Sequence, residues 1–226
     1  MAKAAAGTAE LAYERLRDKL VAFDVKPGAR LNESEIAADL AMSRAPVREA
    51  LNRLVADGMV SLEPGRGFFC RKLSVREITD LYDVRLDLET GALVAVLTEA
   101  TDVDLAAYIG KWRAELGRGE SLSLDELVSA DEAFHLELAA MAGNGPRMKF
   151  LHNINDRIRF VRRINLETPD RNREALAEHW RLLDALAERD GRRAMETLRE
   201  HLARSTDEVR QMVQNALARI YADDVA

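Results

Sequence analysis

Cysteine and long apolar segments are nearly absent from this chain of 226 residues. Cys70 is the single cysteine, which excludes an internal disulfide framework and is typical of a reducing compartment. The longest apolar runs are only a few residues long, so we expect no segment of the sequence to span a bilayer. The stretch at the N-terminus also lacks the apolar core of a signal peptide, and we therefore expect a cytoplasmic protein.

A general excess of positive charge is also absent, since the formal net charge is −6. The charge is unevenly divided, however. Residues 1–74 contain 12 Lys and Arg against 10 Asp and Glu, whereas residues 75–226 contain 21 against 29. Within residues 43–72, six basic residues face three acidic ones. Phosphate binding requires a local basic patch rather than a basic chain, so the N-terminal third is compatible with nucleic-acid binding.

The N-terminal third is predicted to contain three helices followed by a β-hairpin. Apolar residues recur at helical spacing over about 8–24, 33–40 and 44–57, and turn residues separate these segments. Ser43 is the expected N-cap of the third helix, with its hydroxyl accepting a hydrogen bond from a backbone N–H. Two short apolar runs flank the turn at Pro64-Gly65 and predict the hairpin. This order of elements is that of a winged helix-turn-helix.

Beyond residue 73 the pattern is helical throughout. Six helices with short connections are predicted, the last over about 191–220, and no strand signal interrupts them. Such a pattern is typical of an antiparallel bundle. The predicted fold class is therefore mainly α, with a winged helix-turn-helix domain over 1–73 and an all-α antiparallel helical bundle over 74–226.

Several motifs within residues 8–72 occur in a characteristic order: S-R-x-P-V-R-E-A-L, then D-G, then Gly-x-Gly. They resemble the DNA-binding domain of the GntR family of bacterial regulators, in which the third helix enters the major groove and the wing contacts the minor groove. The resemblance implies DNA contacts from six residues, namely Ser43, Arg44, Pro46, Arg48, Arg66 and Gly67. Arg44 or Arg48 can offer a bidentate fork to guanine, and Ser43 at a helix N-terminus suits a phosphate. The alternative is a charged helix surface beside a hairpin without a ligand.

Histidine is scarce as well, with four residues in the chain. Asp131 and His135 are spaced i,i+4 on the apolar side of one predicted helix, and His179 and His201 lie within the apolar stripes of two others. A divalent ion would satisfy all four buried groups at once, whereas separate hydrogen bonds in a core are the alternative. The sequence therefore predicts a metal site. His152 has polar helical neighbours and is expected on an outer face.

The pattern D-x-x-x-H, then E-H, then H-L is similar to the FCD ligand-binding domain of FadR-type GntR regulators over about 75–215. The resemblance implies that Asp131, His135, His179 and His201 ligate Zn, Ni or Mn. It also implies a small organic acid effector on open positions of the ion, and a homodimer that binds double-stranded operator DNA. In this view residues 74–226 bind the metal and effector and form the dimer.

An arginine on an apolar stripe must find an anion, because its guanidinium stays charged. Arg85 occupies such a position on the predicted helix 75–98, and both an effector carboxylate and a salt bridge to Glu89 or Asp87 remain open as its partner. Arg162 and Arg163 are further candidates for effector contact.

Three functions are considered on this basis. The first is a transcriptional regulator whose operator affinity is controlled by a small carboxylate at the metal centre. The second is a metal sensor in which the ion itself is the signal. The third is a metal-dependent hydrolase, since such a site could activate water. Glu132 and Glu178 adjoin predicted ligands but should point about 100° away from them. We therefore expect no catalytic residues and no enzyme.

Overall fold

A computed structural model describes residues 2–118, 121–204 and 206–221 of the chain. These residues form ten helices and one three-stranded sheet, so the predicted mainly α fold class is confirmed. The chain divides into two compact units. The first contains the residues up to Ser74 together with those after Ala216, and the second is Val75–Ala216. Within the described residues, no helix is both long enough and apolar enough to cross a membrane.

The first unit has the element order of a winged helix-turn-helix. Its elements are α1 (Ala2–Val21), β1 (Arg30–Leu31), α2 (Glu33–Asp39), α3 (Arg44–Ala56), β2 (Val60–Glu63) and β3 (Gly67–Cys70). Strand β3 lies between β1 and β2 and pairs antiparallel with both, with Ser61 opposite Phe69. The predicted hairpin is the β2–β3 pair. Strand β1 was not predicted, because two residues are too few to show the alternation of a strand.

The apolar face of α3 forms the centre of this unit. Its Val47, Leu51 and Leu54 are fully buried, and α1 packs on it. Ser43 occupies the N-cap position as predicted, but its hydroxyl makes no capping hydrogen bond, so that detail of the prediction is wrong. Burial of the apolar face is what positions α3. Its opposite face, which carries Arg44 and Arg48, is left exposed.

The second unit is helical throughout its described residues. Its helices are α4 (Val75–Glu99), α5 (Asp102–Leu116), α6 (Leu124–Ala140), α7 (Gly145–Leu166), α8 (Pro169–Ala187) and α9 (Gly191–Leu202), and α10 (Thr206–Ile220) begins in it. Helix α6 begins with a capping box, in which Ser123 and Glu126 each accept a hydrogen bond from the other's backbone N–H. Helix α4 contacts α6, α7 and α9, so residues on all four helices can face one interior.

The last predicted helix, over about 191–220, is in fact two helices. Helix α9 ends at Leu202 and α10 begins at Thr206. Ala203 has extended backbone with ψ 136°, which a helix cannot contain. The apolar spacing continues from Leu198 to Met212 across this break, so periodicity alone could not reveal it. The prediction of one continuous helix was therefore wrong.

The core of the second unit surrounds Phe134 on α6. Its ring is fully buried, and its centroid lies 5.3 Å from that of Trp112 and 5.7 Å from that of Tyr108. The Tyr108 hydroxyl donates to the carbonyl of Phe134 at 3.0 Å. The ring of His179 lies against the other side, with centroids 4.2 Å apart. The apolar core therefore directly supports one of the predicted metal ligands.

We predict that Leu183→Ala lowers the free energy of unfolding by about 2–5 kcal/mol, because Leu183 is fully buried and truncation leaves a cavity. Val103→Ala is the control, since that side chain is 78% exposed and its loss should change stability by less than about 0.5 kcal/mol. Urea denaturation followed by circular dichroism measures both variants. Equal stability of the two variants would contradict the packing described here.

Candidate metal centre and DNA-binding surface

Three helices of the second unit bring the four predicted metal ligands together. Asp131 and His135 lie on α6, His179 on α8 and His201 on α9, and one potential ligand atom of each lies within 4.8 Å of the others. The three histidines are at most 5% exposed. We refer to Asp131, His135, His179 and His201 as the metal cluster. His152, by contrast, is exposed on α7, as predicted.

The spacing within the metal cluster suits a single ion. His135 Nε2 lies 2.9 Å from His201 Nε2 and 3.2 Å from His179 Nε2. Asp131 Oδ1 lies 3.5 Å from His179 Nε2 and 3.9 Å from Nε2 of each of the other two. Nitrogen and oxygen ligands about 2.0–2.2 Å from one ion are separated by about 3.0–3.5 Å. The four atoms are close to that arrangement.

The outer nitrogens of two ligands face carboxylates. His135 Nδ1 lies 2.6 Å from Glu89 Oε2, and His201 Nδ1 lies 2.7 Å from Glu178 Oε2. Burial raises the pKa of Glu89, but the charges of Arg85 and His135 lower it further, to about 2, so this carboxylate is ionised and can only accept. A histidine that donates from Nδ1 to such a carboxylate turns an Nε2 lone pair inward, and this is the arrangement that metal ligands adopt.

The charges in the metal cluster favour a bound cation. Burial lowers the pKa of His179 to about 3, so its ring is neutral near pH 7. Burial by itself raises the pKa of Asp131, but Arg162 and the neighbouring histidines outweigh it and hold that pKa well below the usual range. Without an ion, a shared proton could join two of the facing imidazole nitrogens, but it would leave the third nitrogen without a partner. A divalent ion would satisfy three imidazoles and one carboxylate together, so the residues present fit a metal.

Glu89 and Glu178 contact the metal cluster, and neither residue was assigned to it from the sequence. The offset of about 100° between sequence neighbours was used against Glu178, but that offset directs it to the outer nitrogen of His201 rather than to an ion. A glutamate directly before a ligand histidine could have been recognised as a support for another ligand. Glu89 had been considered only as a partner of Arg85. Both carboxylates lie against the outer nitrogens of predicted ligands and can hold those rings in orientation.

A small cleft adjoins the metal cluster on one side. We call it the cationic cleft, because its lining includes Tyr82, Arg85, Asp131, Arg162, Arg171 and Arg204. A second small cleft also reaches Asp131 and His179, but its other walls are mainly apolar, including Leu116, Leu127 and Leu176. Among the described residues, neither Arg nor Lys lines that second cleft. An anion is therefore better accommodated in the cationic cleft.

Two buried arginines of the cationic cleft retain unused hydrogen-bond donors. Arg85 Nε donates to Glu89 Oε1 at 2.5 Å, but its Nη2 has no hydrogen-bond partner among the described residues. Arg162 Nη2 donates to Asn155 at 2.8 Å and its Nη1 lies 3.3 Å from Asp131 Oδ2, whereas its Nε is unpartnered. Arg85 therefore makes the salt bridge to Glu89 that the sequence left open, and one of its donors has no partner among the described residues.

Arg163 does not line the cationic cleft. Its Nε donates to Asp125 at 2.9 Å and its Nη1 to Glu167 at 3.2 Å, and its side chain is a third exposed. It follows Arg162 on α7, so it points about 100° away from the interior. The expectation that Arg163 contacts an effector has no support in this geometry.

The predicted DNA contacts lie on an exposed face of the first unit. Arg44 and Arg48 project from α3 with side chains about two thirds exposed, Ser43 is exposed at its N-terminus and Pro46 is half-buried in its first turn. Asn52 lies one turn beyond Arg48 and lines a groove between α3 and the wing. An asparagine can read adenine in the major groove, and sequence reasoning missed this residue.

Carboxylates hold these arginines in the free protein. Glu33 at the start of α2 accepts from Arg48 Nε at 2.7 Å and lies 3.7 Å from Arg44. At the wing, Arg66 pairs with Glu63. Gly67 has φ 95°, a conformation that favours glycine, so the turn depends on this residue. The structure thus places the six predicted DNA contacts on α3 and the wing, and Glu33 orients the arginines of α3.

Comparisons with known proteins agree with these features. The FCD domain matches residues 80–204, and the family described as bacterial regulatory proteins, gntR family, matches residues 8–70. The Nta operon transcriptional regulator of Aminobacter aminovorans is 32% identical over 201 residues, which are 89% of this chain and 94% of that protein.

Solved structures have the same fold. A putative transcriptional regulator GntR from Rhodococcus sp. RHA1 gives a TM-score of 0.70 at 26% identity and covers 92% of this chain and 98% of its own. E. coli McbR/YncC gives 0.68 at 23% identity over 96% of this chain and 98% of its own, which supports the fold alone. The matched gntR family and the Nta operon relative are regulators of transcription rather than enzymes.

We predict that Glu178→Gln weakens binding of a divalent ion about tenfold or more, because the amide accepts less strongly from His201 and no longer fixes its orientation. Glu174→Gln is the matched control, since Glu174 lies one turn earlier on α8 with its side chain 67% exposed. Competition with a chromophoric chelator measures both affinities. Equal affinities in the two variants would contradict the supporting role of Glu178.

Proposed function

The chain belongs to the gntR family of bacterial regulatory proteins and carries an FCD domain, and from this membership we propose how its DNA binding is controlled. It is a DNA-binding transcriptional regulator. Its affinity for operator DNA depends, in this proposal, on a small organic acid bound at a divalent metal ion in the second unit. The observation that carries the proposal is the metal cluster, which adjoins a cleft where Arg85 and Arg162 each keep a donor that has no partner among the described residues.

The metal cluster holds the ion in this proposal. Asp131 supplies one anionic oxygen and His135, His179 and His201 supply three neutral nitrogens, a donor set that suits Zn, Ni or Mn. The ion supplies a Lewis acid at which a carboxylate oxygen can bind. Glu89 and Glu178 keep two of the imidazoles oriented by accepting from their Nδ1 atoms.

The effector is proposed to place a carboxylate between the ion and the buried arginines. The free Nη2 of Arg85 and the free Nε of Arg162 would donate to it, which removes the cost of two unpaired buried donors. Glu89 already contacts both Arg85 and His135, so an anion on Arg85 acts on a group that also positions a metal ligand. This contact gives binding of the acid a direct route to the metal cluster.

The first unit is proposed to read the operator with Arg44 and Arg48 in the major groove. Arg66 and Gly67 would lie at the minor groove. Ser43 would contact a phosphate, and Pro46 shapes the first turn of α3. Guanine offers two acceptors to an arginine fork and can replace Glu33 as the partner of Arg48. We further propose that the protein acts as a homodimer, so that two α3 helices contact paired half-sites.

A metal sensor is the second candidate function. It is favoured by the completeness of the metal cluster, which provides four protein ligands without an added acid. A hydrolase is not proposed, because the matched families regulate transcription and the carboxylates near the cluster accept from ligand histidines.

A gel-shift titration on operator DNA tests the proposal and separates the two candidates. Protein stripped of metal, protein reloaded with Zn, Ni or Mn, and reloaded protein with small carboxylic acids are compared. We expect that an acid shifts operator affinity of the loaded protein and has no effect on the stripped protein. A shift caused by stripping alone, with no response to any acid, would favour the metal sensor. No response to either treatment would refute both candidates.

We predict that Arg48→Ala weakens operator binding by about 1–3 kcal/mol, because it removes a fork that can pair with guanine. Affinity for the divalent ion should stay unchanged, since Arg48 lies in the first unit. Arg76→Ala is the control, as its side chain is 92% exposed in the second unit. Fluorescence anisotropy with operator and with unrelated DNA measures the effect. A proportionate loss on both DNAs would show that Arg48 contacts phosphate rather than a base.

A further inference from the structure

The arginines proposed to contact DNA are nearly neutralised by the protein itself. Glu33 holds Arg48 and lies 3.7 Å from Arg44, and Glu63 pairs with Arg66 at the wing. These side chains carry three positive and two negative charges, a net of +1. Attraction to DNA of any sequence depends on positive charge, because cations of the protein replace the counterions that surround the phosphates. We therefore looked for a further cation near the wing that no carboxylate holds.

Arg30 has these properties. It begins β1 and is exposed, and a β-carbon added to Gly67 would lie 3.8 Å from its Nη2 atom. The guanidinium of Arg30 therefore lies beside the wing, although Arg30 precedes α2 in the chain. In contrast with Arg48 and Arg66, the side chain of Arg30 forms neither an ion pair nor a hydrogen bond with the part of the chain that the structure describes.

The sheet determines the face from which Arg30 projects. Arg30 on β1 is paired with Phe69 on β3, and directly opposed residues of neighbouring strands project from the same face. The adjacent pair, Leu31 and Phe68, is buried on the inner face. Arg66 lies over the Phe69 ring, with its Cζ 5.1 Å from the ring centroid. Arg30 and Arg66 thus share the outer face of the sheet at the wing.

We propose that Arg30 binds a phosphate of the DNA backbone beside the minor groove and so contributes to affinity for DNA of any sequence. This inference rests on the proposed placement of the wing at the minor groove, since the backbones that line the groove then lie nearest to Gly67. A guanidinium without a carboxylate gains a charge-assisted hydrogen bond from a phosphate and loses no ion pair. Arg48 and Arg66 must each give up a carboxylate before they can do the same.

Equilibrium binding of the full chain to two DNA duplexes tests the proposal. One duplex is selected by the protein from a pool of random sequence, and the other is an unrelated duplex of the same length. Fluorescence anisotropy between about 50 and about 200 mM salt gives the slope of log Kd against log salt concentration. We expect Arg30→Gln to lower this slope by about 0.9 for each bound protomer on both duplexes, because one phosphate contact is lost. Over that range, the loss of affinity with salt becomes smaller by about threefold for each protomer.

Two further variants serve as controls for the effect of charge. Arg30→Lys should keep the slope of the wild type, because an ammonium also neutralises a phosphate. Arg15→Gln removes the same charge from α1, which packs on the opposite face of α3, and should leave the slope unchanged. Arg15 is also exposed and forms no ion pair with the described residues. Thermal unfolding shows whether each variant is folded.

Replacement of single phosphates by neutral methylphosphonates locates the contact. The replacements are introduced one at a time along both strands of the selected duplex. For each bound protomer we expect one position at which the replacement weakens binding of the wild type and leaves binding of Arg30→Gln unchanged. Such non-additivity is the signature of a direct contact between the two groups.

The results also separate this inference from the proposed function. The phosphate contact is wrong if Arg30→Gln keeps the slope of the wild type, if it loses affinity for the selected duplex alone, or if no methylphosphonate distinguishes it from the wild type. The proposed placement of the wing survives those results if Arg66→Gln still weakens binding to the selected duplex. If neither substitution changes binding to either duplex, the placement of the wing at the minor groove fails as well.

Discussion

Three imidazole nitrogens face one another in the interior of the second unit, and much of its structure is organised around that fact. His135 Nε2 lies 2.9 Å from His201 Nε2 and 3.2 Å from His179 Nε2, while carboxylates face the outer nitrogens of His135 and His201. Two imidazole nitrogens that both present lone pairs at such distances repel one another unless a positive charge lies between them. The apolar core, which packs Phe134 against His179, holds the nitrogens together, and the proposed ion supplies the charge.

Glu89 links the metal cluster to the cationic cleft beside it. One of its oxygens accepts from His135 and the other from Arg85, so a single buried carboxylate serves both the metal cluster and the cationic cleft. A buried carboxylate of this kind is stable only while both cationic or donating partners remain, because a lost partner leaves it unbalanced. In the proposed function, an anion on the free Nη2 of Arg85 would share that guanidinium with Glu89, which also faces His135. Acid binding would then be coupled to metal ligation without any long pathway.

On the DNA-binding surface, DNA and the carboxylate of Glu33 compete for the same arginine side chains. Glu33 holds Arg48 through two hydrogen bonds and lies near Arg44, so operator DNA must displace a carboxylate that is already in place. In the proposed function, guanine takes over Arg48 with two acceptors matched to the guanidinium fork. Because hydrogen bonds to a carboxylate are charge-assisted, the loss of this ion pair is a cost that the contacts with DNA must offset.

The sequence alone determined the order of elements and the identity of most chemical groups. Ser43 to Gly67 indicated a winged helix-turn-helix because turns, glycines and basic residues have local requirements, and the inward stripes of α6, α8 and α9 indicated that Asp131 and three histidines share an interior. Tertiary structure decided what lies around them. The partners of Glu89 and Glu178, the outward direction of Arg163 and the break at Ala203 that turns Arg204 to the cleft depend on contacts between helices distant in the sequence. Periodicity shows which side of a helix is buried, but not which residue of another helix it meets there.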